Sequence, residues 1–94
     1  MNDNDSISRP ALSRVALKKI TPDVSAAMGS LHAAAVSAAR DAKVEPELLE
    51  LVRIRASQIN GCAFCLDMHT KDARAQGETE QRLYAVAAWH EAPF

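Results

Sequence analysis

Cys62 and Cys65 stand three residues apart, and His69 follows four residues later, in the stretch Cys62-Ala63-Phe64-Cys65-Leu66-Asp67-Met68-His69. On a helix that starts near Cys62, steps of three and four put both sulfurs and the imidazole along one stripe. A helix N-terminus favours a thiolate through its dipole and free N–H groups, drawing a cysteine pKa from about 8.5 towards neutrality, and Cys62 gains most from that effect. Helical side chains lean towards the N-terminus, so the His69 ring can point back at the Cys65 sulfur as base or imidazolium partner. The two effects nominate different nucleophiles, and spacing leaves both open. What the spacing does allow is a local disulfide, with one thiolate attacking an electrophile and the other resolving the product. That is the chemistry of a dithiol reductase.

Glu50 lies on the segment before the cysteines. A carboxylate on an otherwise apolar helix needs a partner, either Arg53 or Arg55 on its own helix or His69, whose proton affinity it would then tune. Other uses of these residues are weaker. The cysteines could be two small buried hydrophobes. Zinc needs four ligands, and Cys62, Cys65 and His69 supply three, with Glu50, His32 or His90 as a fourth. No second Cys/His pair follows at finger-like spacing. Haem attachment needs a histidine directly after Cys65, where Leu66 stands. Neither a metal nor a cofactor is expected. His32 reads as a partly exposed helix residue and His90 as a helix-terminal one, with lining of an access channel at an oligomer interface as its alternative. Phe64, Tyr84 and Trp89 read as packing residues, Phe64 also affecting how a bulky substrate reaches the sulfurs. Asp67 and Asp72 read as solvated charges flanking the stripe.

The elements that must position these groups are helices. A chain of 94 residues has room for one core, and its 48% hydrophobic and 24% charged residues exclude a disordered chain. Aromatics are only 4%, and alanine fills much of the apolar share, which favours closely packed helices over sheets. Thr21-Pro22-Asp23 marks a helix start, with Thr21 as N-cap, and Val24, Met28, Leu31, Ala35, Ala38 and Ala42 recur along one face. Pro46 opens a second helix, apolar around more than one face and expected to be the most buried, which Asn60-Gly61 closes in a left-handed turn. A third helix runs from Cys62 to about Gln76, with Gly77 as its stop. Thr79 caps a fourth, containing Leu83, Val86, Ala87 and Trp89 and ending before Pro93. No stretch alternates with period two, so the fold class is all-α. Residues 1–20 are expected to be mobile or extended, and 21–94 to form the helical domain.

Eleven basic against twelve acidic residues leave a net charge of −1, no electrostatic footprint for nucleic acid. The polar, acidic start has no apolar core of a secretory signal, and no run nears the roughly 20 apolar residues that span a bilayer. A soluble, cytoplasmic protein is expected. With so few large apolar residues, a small bundle has difficulty excluding water alone. An oligomer, or a continuation beyond Phe94, is expected.

Glu50, Asn60-Gly61, Cys62, Cys65, His69 and the stretch Gly77–Leu83 through Ala87-Ala88-Trp89 together resemble the AhpD-like alkylhydroperoxidases of the carboxymuconolactone decarboxylase family. The resemblance is strong from about Val44 to Phe94 and weaker from Leu12 to Lys43. It implies an all-α fold completed by assembly into trimers or hexamers, with C-terminal helices lacking here or supplied by a neighbour. It also implies reduction of organic hydroperoxides. In the family pattern the second cysteine attacks, here Cys65; Cys62 resolves the sulfenic acid, and Glu50 and His69 relay protons. The reductant implied is a thiol or dihydrolipoyl-type carrier. The best-known AhpD members carry a histidine immediately before the second cysteine, where this chain has Phe64, so that group's part in the relay is lost. The wider family suggests a carboxymuconolactone-type decarboxylase as an alternative, which has no need of a dithiol. A different class again would be a non-catalytic redox-sensing or metal-binding helical module.

Overall fold

The structure, a computed structural model, describes residues 15–94. Every regular element among them is helical: α1 (Leu17–Ile20), α2 (Pro22–Asp41), α3 (Pro46–Asn60), α4 (Ala63–Ala75), α5 (Glu80–Ala85) and a 3-10 segment (Val86–Glu91). The all-α expectation holds. The described residues fall into two compact units, the first ending at Ala35 and the second running from Val36 to Phe94. Of the N-terminal segment expected to be mobile or extended, residues 1–14 lie outside the described residues.

In the first unit, Leu17–Ile20 makes a single helical turn. Thr21 closes it, donating both its backbone N–H and its hydroxyl to the Leu17 carbonyl, at 2.7 and 3.0 Å. The Thr21 side chain therefore serves the helix behind it rather than capping α2, as the sequence suggested. Its carbonyl still accepts the Ser25 N–H, and Pro22 starts α2 where a missing N–H costs nothing. The stripe of Val24, Met28 and Leu31 is exposed, at 56–64%.

The second unit carries the core. Leu51 and Ile54 of α3, Ala73 of α4, Leu83 of α5 and Val86 are buried together, with Leu66 packed against them. Burying each branched side chain contributes about 1.5–3 kcal/mol. Within α3 the buried face is Glu50, Leu51, Ile54 and Ser57. Its other apolar face is not buried. Leu48, Val52 and Ile59 are 46–69% exposed and, with Trp89 and Phe94, line a groove of about 590 Å³.

Three turns in this unit share one hydrogen-bond pattern. After α2, Val44 N–H reaches the Ala39 carbonyl and Lys43 N–H the Arg40 carbonyl. After α3, Cys62 pairs with Ser57 and Gly61 with Gln58; after α4, Glu78 pairs with Ala73 and Gly77 with Arg74. Each turn is a Schellman motif pivoting on a left-handed residue: Lys43 (φ 61°), Gly61 (68°) and Gly77 (98°). The two glycines match the sequence expectation, whereas Lys43 adopts a conformation that side chains disfavour. At Gly61 an added Cβ meets nothing within 4 Å, so only backbone strain opposes it. Gly61→Ala should therefore lower stability by about 1–2 kcal/mol without altering the fold, measurable by urea denaturation.

The single fourth helix expected from the sequence is two pieces. Thr79 caps α5, its hydroxyl accepting the Arg82 N–H at 3.2 Å, and Arg74 Nη1 ties α4 to Glu80 Oε1 at 2.6 Å. That hydrogen bond and the Arg74 charge hold the Glu80 carboxyl below the usual range. Beyond Val86 the chain tightens to 3-10 geometry with a non-helical residue at Ala88. Residues 87–91 are all exposed, so no packing holds them to α geometry.

Candidate functional site

Gly61 turns the chain sharply from α3 into α4, and Cys62 becomes the N-cap of α4 in extended conformation. Its Sγ accepts the backbone N–H of Cys65 at 3.2 Å, the place a capping oxygen usually takes. Cys62 and Cys65 are joined by a disulfide across a Cα–Cα distance of 5.3 Å. Both cysteines are partly exposed. The N–H that points at Cys62 would stabilise its thiolate once the bridge opens, which is the helix-start effect read from the sequence.

His69 sits two turns into α4, on the face turned to α3. Its Nδ1 lies 2.9 Å from Glu50 Oε1 although the two residues are 19 apart in sequence. Against an ionised carboxylate, which only accepts, Nδ1 is the donor of this bond, and Nε2 is the ring nitrogen left free of Glu50. The second carboxylate oxygen of Glu50 accepts from Arg53 Nη1 at 3.0 Å. The Glu50 side chain is only 5% exposed, and each of its oxygens has a partner, which is what makes a buried carboxylate tolerable. Both partners weighed for Glu50, the arginine one turn on and the histidine, are present together. Arg55 instead donates to Gln58.

Among the described hydrogen bonds, His69 makes none to a sulfur. Its ring is held by Glu50 on one side. Asp72, read from the sequence as a solvated charge, is exposed but brings a carboxylate oxygen into a cluster with donor atoms of Glu50 and His69, all within 4.8 Å of one another. Asp67 is solvated as expected and pairs with Lys71 at 3.0 Å. Phe64, expected to pack, is 76% exposed beside the disulfide. His90 stacks on Trp89, ring centroids 4.1 Å apart, and belongs to no cluster with the site residues; His32 lies on α2 in the first unit.

Glu78 is a buried carboxylate that sequence reasoning did not single out. Its Oε2 accepts the Thr79 N–H at 2.9 Å and lies 3.5 Å from Arg82 Nε, while Oε1 is buried without a hydrogen-bond partner among the described residues. Position after the Gly77 turn was the only available signal, since the Schellman geometry draws the residue following the glycine back against the helix.

No helix among the described residues is long and apolar enough to cross a membrane. Comparison with known proteins places the chain. Over 45 residues it is 67% identical to the uncharacterized protein YdfG of Bacillus subtilis (strain 168), covering 48% of this chain and 31% of that protein. It also superposes on a crystal structure from Agrobacterium tumefaciens, described as a protein of unknown function proposed to be the antioxidant defence protein AhpD. There the TM-score is 0.68 and the identity 34%, over 87% of this chain and 53% of the other. The chain thus spans about half or less of the length of these relatives. The family model for carboxymuconolactone decarboxylases matches residues 22–94, more than three quarters of the sequence. On that match, the chain belongs to the carboxymuconolactone decarboxylase family.

Proposed function

We propose that this chain carries the redox centre of a thiol-dependent peroxidase that reduces organic hydroperoxides. The observation that carries the reading is the Glu50–His69 hydrogen bond at 2.9 Å, next to a cysteine pair already closed as a disulfide. A buried carboxylate that orients an imidazole and fixes its tautomer makes Nε2 a proton acceptor and donor, the service a thiol and a leaving alkoxide both need.

In the cycle proposed, the Cys65 thiolate attacks the outer oxygen of ROOH. The S–O bond forms as the O–O bond breaks, and the departing RO⁻ takes a proton through His69 to leave as ROH. Cys65 is then a sulfenic acid. The Cys62 thiolate attacks its sulfur, the hydroxyl leaves as water with a second relayed proton, and the Cys62–Cys65 disulfide results. An external dithiol of dihydrolipoyl type supplies two electrons to reopen it. Assignment of Cys65 as the attacking sulfur rests on the resemblance to AhpD-like proteins and on its place one turn before His69. Phe64, exposed between the sulfurs, suits an apolar alkyl group on the hydroperoxide. The same reading includes a homo-oligomer, a trimer or hexamer, working in the reducing cytoplasm.

The test is direct. Reduced protein treated with one equivalent of cumene hydroperoxide should lose two hydrogens, localised by mass spectrometry to the peptide carrying Cys62 and Cys65, and should turn over when a dithiol is supplied. Oxidation no faster than that of a free thiol of similar exposure would defeat the reading.

A further inference from the structure

Asp72 is the acidic residue near the site with no ion-pair partner among the described residues. Glu50 pairs with Arg53, Asp67 with Lys71, Glu78 with Arg82 and Glu80 with Arg74. It sits three residues after His69 on α4, hence on the same face of that helix, and its carboxylate comes within 4.8 Å of the donor atoms of both His69 and Glu50. We propose that Glu50, His69 and Asp72 form a binding site for one divalent transition-metal ion, with zinc as the ion best matched, and that its occupancy removes the Glu50–His69 pair from proton transfer. The second half rests on the peroxidase reading; the first does not.

The donor set is one imidazole nitrogen and two carboxylate oxygens, which suits zinc and its neighbours better than magnesium or calcium. Three protein ligands leave a fourth position for water, as in open zinc sites. Zinc bonds of about 2.0–2.1 Å in a tetrahedron need donors about 3.3 Å apart. The Glu50–His69 separation of 2.9 Å would open slightly, and Asp72, exposed and uncommitted, can rotate inwards. The least movable ligand is already in place, because Arg53 holds the far oxygen of Glu50 and leaves Oε1 facing the ring. Two carboxylates against the one guanidinium keep the site at net −1 while the imidazole is neutral. Closure of the Cys62–Cys65 disulfide matters here, since it denies the sulfurs to the metal and isolates the three-residue site. A metal ion on the imidazole or on Glu50 Oε1 competes directly with the proton the relay would carry.

The experiment uses the full chain in its disulfide form, freed of metal with a chelator, and titrates it with zinc chloride by calorimetry. One zinc per chain is expected, with affinity at least tenfold weaker in Asp72→Asn and unchanged in Asp67→Asn; magnesium should not bind. Absence of binding, equal affinity in Asp72→Asn, or an equal loss in Asp67→Asn would each overturn the site, the last by showing general attraction to an acidic helix. With the turnover of each protein in metal-free buffer as its own baseline, Asp72→Asn should resist inhibition by zinc at least tenfold better than the parent. Equal inhibition of both proteins would refute the coupling to proton transfer. Total lack of turnover in every form would refute the peroxidase reading, and with it the coupling, while the zinc titration would still decide the site by itself.

Discussion

Cys65→Ser should abolish hydroperoxide consumption, with turnover falling by at least about 10³-fold, because removing the nucleophile of a covalent mechanism leaves only the environment's residual effect. Cys62→Ser should behave differently. With Cys65 intact the first step still runs, so the variant should consume one equivalent of hydroperoxide and stop, leaving a sulfenic acid at Cys65 that a dimedone probe traps. The comparison is decisive because the helix start favours the opposite assignment: the Cys65 N–H, 3.2 Å from Cys62 Sγ, would stabilise the Cys62 thiolate. If Cys62→Ser is inert and Cys65→Ser consumes one equivalent, the roles are exchanged and the proton relay serves the resolving step instead. Single-turnover mass spectrometry on both variants distinguishes these outcomes without reference to any reductant.

Glu50→Gln should lower the rate of hydroperoxide reduction by about 10²-fold with the helices intact, as expected for losing general acid–base assistance. Glutamine can still accept the His69 Nδ1–H through its carbonyl, so the ring keeps an orienting contact. What disappears is the negative charge that stabilises the imidazolium, while an amide group now faces Arg53. The purely structural role of Glu50 would show up as lost stability, the chemical one as lost rate. Glu50→Ala, which leaves both His69 and Arg53 without their partner, should also cost about 1–3 kcal/mol of stability. Arg53 is partly exposed and can turn to water, which keeps that cost moderate. Stopped-flow oxidation rates beside urea unfolding of the two variants separate the effects. A Glu50→Gln protein that is oxidised at the parental rate would remove the carboxylate from the mechanism.

Legibility in the sequence followed how local each feature is. Pro22 and Pro46 mark the starts of α2 and α3, and Gly61 and Gly77 the stops of α3 and α4, because a fixed φ or a left-handed turn constrains only the few residues around it. The position of Cys62 at the mouth of α4 follows from the same turn. Lys43 escaped because a lysine at φ 61° carries no compositional sign. The break at Val86 escaped because capping residues describe where a helix begins, while its continuation depended on packing that residues 87–91 do not receive.

By itself the sequence determined an all-α fold with Cys62 at the mouth of the helix that carries Cys65 and His69, since those relations are set within two turns of backbone. Only the tertiary structure decided that Glu50, nineteen residues from His69, is buried with one oxygen on the ring and the other on Arg53, that Asp72 joins them, and that Glu78 is drawn inside. Those relations depend on how α3 packs against α4 and how the chain turns after Gly77. Side-chain burial and charge pairing are consequences of that packing, and no short window of residues contains them.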